Sequence, residues 1–168
     1  MILEIKDWVF DIDITTTMEY SAKEALEHCT CAYCRNFYAA VDGKYPELRP
    51  FLAQFGLNLE APDELIPYTS TDYQAYYAVA GRILQAGNDF ARDVGLDVGV
   101  KTAGAAEEVN INTWIREPYF FICTDFLELP WVLDEPEDDV ESPANEPSFL
   151  KKIWNRLLGK SGSDITYS

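Results

Sequence analysis

The chain has 168 residues, 48% of them hydrophobic and 14% aromatic, which is enough apolar surface for one domain with its own core and an appendage. Its 29 acidic residues against 13 basic ones give a formal charge of −16, a field that repels phosphate backbones and argues against a nucleic-acid partner. Charges interrupt the opening residues 1–7 and no run of about 18 apolar residues occurs, so neither a signal peptide nor a membrane span is expected, and the cytoplasm is the expected compartment.

Between Asp7 and Thr16 the residues Trp8, Phe10, Ile12 and Ile14 alternate with Val9, Asp11, Asp13 and Thr15, the period of a strand with one buried face. Ser21 with Glu24 three residues on reads as a capping box that opens a short helix before the cysteines. Two helices follow, over residues 34–41 and 45–55. Phe37, Tyr38 and Val41 share a face in the first, and Leu48, Phe51, Leu52 and Phe55 in the second. Asp42-Gly43 separates them, Pro46 suits the first turn of the second, and Gly56 suits its C-terminal cap.

Residues 61–67 read as a turn at the surface. Residues 73–84 favour a strand with Gly81 as a bulge, and residues 97–102 and 109–115 are short strand candidates. Residues 119–126, Tyr-Phe-Phe-Ile-Cys-Thr-Asp-Phe, make the strongest strand, which Pro130 ends or places at an edge. One early strand, then helices, then several strands predicts an α+β fold: a mainly antiparallel sheet with two or three helices packed on one side, plus a C-terminal amphipathic helix. The domain is expected over residues 1–133, followed by an acidic tether (134–147), a basic amphipathic helix (148–160) and a flexible tail (161–168).

Three of the four cysteines fall in Cys29-Thr30-Cys31-Ala32-Tyr33-Cys34, too close in sequence for a secreted disulfide framework. Cys31 and Cys34 have the two-residue spacing of half a tetrahedral thiolate site, Cys29 adds a third thiol, and Cys123 on the late strand is the best fourth ligand for a structural zinc. His28 stands beside Cys29 and would strain the backbone to reach the same ion. The competing readings are buried free thiols acting as small hydrophobes, and redox chemistry with Cys31 as nucleophile and Cys34 as resolving thiol. Arg35 and Asn36 read as solvating and capping residues at a helix start.

The run His28-Cys29-Thr30-Cys31-Ala32-Tyr33-Cys34-Arg35-Asn36-Phe37, the helix from Pro46 and the closing Glu128-Leu129-Pro130-Trp131-Val132-Leu133 together resemble a group of bacterial proteins with no established activity. The shared pattern is a cysteine cluster followed by (Arg/Lys)-Asn-(Phe/Tyr), with an ELPWVL-like domain end. The resemblance implies the domain limits and contributes nothing on chemistry.

Other catalytic signals are weak. Asp11 and Asp13 share one face of the first strand and read as its solvated side. Tyr68, Tyr73, Tyr76 and Tyr77 read as a core edge with hydroxyls in water. The glycines around residue 97 form no phosphate loop. In the terminal helix Phe149, Leu150, Ile153, Trp154 and Leu157 fill one face and Lys151, Lys152, Arg156 and Lys160 are basic, a pattern suited to docking on a protein partner or a second copy, with a membrane surface as the lesser alternative. The expected function is an interaction or adaptor protein with a cysteine-ligated structural zinc. The alternatives are an enzyme using Cys29, Cys31 and Cys34 for metal or thiol chemistry, and a small-ligand binding domain on the tyrosine-rich sheet.

Overall fold

In the computed structural model every other strand is placed, directly or through one neighbour, by a single long one, β4 (Asp72–Gln85). The structure describes residues 1–25, 29–87, 98–102, 113–124 and 127–135; the helix expected over residues 148–160, with its apolar residues, falls outside them. One edge of β4 pairs with β3 (Glu64–Pro67) and then β2 (Trp8–Ile12), the other with β7 (Leu127–Glu128) and then β6 (Tyr119–Thr124). β1 (Ile2–Ile5) extends the sheet beyond β2, and β5 (Val98–Thr102) extends it beyond β6. All these pairings are antiparallel, and with the three helices among the described residues they make the expected α+β fold.

Each edge of β4 leaves backbone groups between two partner strands, and buried amides need partners. Side chains supply them. Thr17 Oγ1 accepts the Ala80 N–H at 3.1 Å and the Asp63 carboxylate accepts the Ala78 N–H at 2.6 Å. On the opposite edge Thr124 Oγ1 accepts the Ala75 N–H at 2.9 Å. Gly81, expected to mark a bulge, instead permits a close approach: with φ at +147°, a Cβ there would lie 2.2 Å from the Asp11 carbonyl oxygen on β2. The register shift falls a few residues on, where Val9 and Phe10 face Gln85 and Ile83 and leave Leu84 extra and exposed.

Alternation along β4 and β6 divides the interior into two clusters. Tyr73, Ala75, Tyr77, Val79, Phe120 and Ile122 face α2 (Ala32–Lys44) and α3 (Leu48–Ala53), packing with Phe37, Val41, Leu48, Leu52 and Phe55. Tyr76, Ala78, Ala80, Phe121 and Cys123 form the second cluster with Ile115. The tyrosines are not a wet edge. Tyr73, Tyr76 and Tyr77 are buried, and the hydroxyls of Tyr73 and Tyr77 donate to the carbonyls of Ser70 and Leu59, both at 2.9 Å.

Several boundaries differ from the sequence pattern. The first strand stops at Ile12, because Asp13 caps a helix, α1 (Ile14–Glu24), by accepting the Thr16 N–H at 3.0 Å. Ser21 is therefore not a cap: it is buried inside α1, where its hydroxyl accepts the Asn58 N–H at 2.8 Å. Asp42-Gly43 does not end α2, which runs to Lys44. Residues 64–67 are strand β3 and not a turn, and β1 escaped notice because its hairpin turns on Lys6, at φ 54°, without a glycine or asparagine. Gly56 does cap the end of α3. It has φ +80°, its N–H donates to Ala53 and the Leu57 N–H to Leu52, the paired bonds of a Schellman motif.

Candidate metal centre

The turn 29–31 leads into α2 with Cys31 at the N-cap, so Cys34 falls one turn into the helix and points back toward the two residues before it. The sulfurs of Cys29, Cys31 and Cys34 lie within 4.8 Å of one another, Cys29 and Cys31 exposed and Cys34 buried. In a tetrahedral zinc site with bonds near 2.3 Å, sulfurs sit about 3.8 Å apart, so a small inward movement of the exposed pair brings three thiolates onto one ion. The Cys31 N–H lies 3.5 Å from the Cys29 sulfur and holds that thiol below its usual pKa. Burial, followed by hydrogen bonds to Cys31 and Cys29, pushes the Cys34 thiol up. The phenol of Tyr38, one turn beyond Cys34, is raised by burial first and then by the charge of the cysteines it faces.

Cys123 is not brought to this group. It follows Ile122 on β6, and alternation turns it into the second cluster while Ile122 packs with α2. Among the described residues the close group is Cys29, Cys31 and Cys34; His28 lies outside them. Asp11 and Asp13 do not form a paired-carboxylate site either, since Asp13 is committed to the cap of α1.

Two residues beside the cysteines do far more than cap a helix. Asn36 is fully buried; its amide nitrogen donates to the Pro130 carbonyl at 3.1 Å and to the Tyr73 hydroxyl at 3.2 Å, and its oxygen accepts the Val132 N–H at 2.7 Å. Arg35 donates from Nε to the Thr30 carbonyl at 3.0 Å and pairs through Nη2 with Glu135. Trp131 meets the ring of Tyr33 edge-on, centroids 5.7 Å apart, and its indole N–H donates to the Glu135 carbonyl at 2.9 Å. The cysteine turn and the closing segment 129–135 are therefore one contiguous structure.

A half-buried carboxylate, Asp63, escaped sequence reasoning because nothing in Ala-Pro-Asp-Glu sets that aspartate apart. It accepts from the Ala78 N–H and the Tyr20 hydroxyl, and Thr113 donates to that hydroxyl at 3.1 Å. Burial outweighs these bonds and raises its carboxyl to about 6. No family model, curated protein or solved structure matches the chain. No helix among the described residues is long and apolar enough to cross a membrane.

Proposed function

We propose that the chain is a cytoplasmic interaction domain whose Cys29, Cys31 and Cys34 hold one zinc ion that fixes the turn leading into α2. The observation that carries this reading is the convergence of three sulfurs within 4.8 Å on a turn joined to the domain's closing segment. Thiolates are soft donors suited to zinc, and a reducing compartment keeps them available. The interaction role rests on the terminal sequence, where Phe149, Leu150, Ile153, Trp154 and Leu157 offer an apolar face to a protein partner or a second copy once a surface covers it. The test is zinc per chain in protein purified without an affinity tag, with free thiols counted before and after chelation. One zinc per chain and three thiols released by chelator are expected, and Cys31→Ser loses the metal. Zinc-free protein whose thiol count chelator does not change overturns the reading.

A second reading, thiol–disulfide exchange, draws on the asymmetry of the same cluster. Exposed Cys29 is held toward its thiolate, the form that attacks a disulfide, while buried Cys34 is held as the thiol. Alkylation of metal-free protein distinguishes it: Cys29 then reacts faster than a free cysteine at neutral pH, and Cys29→Ser abolishes exchange with a model disulfide.

A further inference from the structure

We infer that metal occupancy of the cysteine turn controls how firmly the closing segment 131–135 is anchored, with Arg35, Tyr33 and Trp131 as the linkage. The inference rests on the zinc reading above and concerns its regulation. Arg35 has two hands on different parts of the chain. One holds the Thr30 carbonyl, between Cys29 and Cys31, and the other holds the Glu135 carboxylate. Tyr33, between Cys31 and Cys34, packs its ring against Trp131, whose indole N–H in turn holds the Glu135 carbonyl. Both routes start inside the ligand turn and end on the same residue.

An ion bound by the three sulfurs fixes the turn, and with it the Thr30 carbonyl and the Tyr33 ring. Loss of the ion frees two exposed cysteines, and the two contacts on Glu135 lose their fixed base. Linkage makes the effect reciprocal, so weakening the anchor at Glu135 must weaken metal binding. Because the Arg35–Glu135 pair is half exposed, with side-chain exposures of 46% and 40%, the coupling it carries is modest. Everything after Glu135, the acidic run and the basic segment that follows it, departs from this anchor.

The test uses the full chain and zinc(II) as the probe, with two readouts: zinc bound per chain, and the indole N–H resonance of Trp131, identified by its absence in Trp131→Phe. Zinc is expected to move the Trp131 resonance along the same curve as binding. Glu135→Gln is expected to weaken zinc binding about two- to fivefold, Arg35→Met at least as much because it also removes the Thr30 bond, and the double variant no more than Arg35→Met alone, since the Glu135 pair is already lost there. Stoichiometric zinc binding with an unmoved Trp131 resonance, or with unchanged affinity in both single variants, overturns the inference and leaves the zinc reading standing. No zinc binding at all overturns both.

Discussion

Asn36 and Val132, 96 positions apart, are joined by a 2.7 Å hydrogen bond from the Val132 N–H to the Asn36 side-chain oxygen. The amide group has its other end on Pro130 and Tyr73, so one buried side chain closes the domain. Asn36→Ala leaves a carbonyl, an amide and a phenol without this partner, and is expected to lower unfolding free energy by about 2–3 kcal/mol, read from urea denaturation. Asn36→Asp keeps the acceptor but sets a carboxylate against the Pro130 carbonyl, and is expected to recover none of it.

Zinc is expected to stabilise the folded chain with the logarithm of its concentration once that exceeds the dissociation constant, because the folded turn holds the three thiolates together better than the unfolded chain does. Cys34→Ala removes that zinc-dependent rise in melting temperature, and Cys123→Ala leaves it intact, since Cys123 packs in the second cluster. Binding releases protons, the Cys34 thiol being raised above its usual value, so affinity falls as pH is lowered; titration calorimetry in buffers of different ionisation enthalpy counts them.

The raised carboxyl of Asp63 gives a pH signature. With a folded value of about 6 against an ordinary 3.8, the folded chain keeps a proton that the unfolded chain releases. The contribution of this group to stability is therefore full below about pH 4 and is lost as pH rises through about 6. Relative to Asp63→Asn, the wild-type chain is expected to lose on the order of 2–3 kcal/mol between those limits. Parallel stability curves for the two proteins would contradict the assignment.

Two glycines are expected to respond with opposite sign. Gly81→Ala drives a methyl into the Asp11 carbonyl at 2.2 Å and is expected to cost at least about 3 kcal/mol or to prevent folding. Gly43 lies inside α2 with nothing within 4 Å of an added Cβ, so Gly43→Ala is expected to stabilise by about 0.5–1 kcal/mol. Thermal melts of the two variants give both answers.

The strand at 119–124 was legible because β-branched and aromatic residues dominate it and the one at 72–85 because tyrosines, a valine and an isoleucine recur along it, and the α3 face was legible because Leu48, Phe51, Leu52 and Phe55 recur at helical spacing. What alternation alone does not settle is where a strand yields to a cap. Ile14 continues the period of Trp8, Phe10 and Ile12, yet Asp13 captures the Thr16 amide first. Nor does local pattern reveal partners across long separations. Arg35 and Asn36 are polar and stand at a helix start, which fits capping, and only their positions opposite residues 130–135 show why they are there. The three neighbouring cysteines were found from spacing, because a turn and one helical turn bring such sulfurs together. Cys123 was misplaced by the same limit, since its side of the sheet depends on the register of β6 against β4.

The way β4 is shared also sets an order of events during folding. Phe10 must find Ile83, and Tyr73 must find Leu127, so the central strand meets its outer neighbours only after closures of more than 50 residues on either side. Short-range pairing of β1 with β2, and of β3 with the start of β4, can come early. Neither covers both faces of the aromatic middle of the sheet. Until β6 arrives, the edge of β4 over residues 76–80 keeps its backbone groups open to other chains as well as to water, and it is in that interval, before the closing segment locks, that the protein is most open to aggregation.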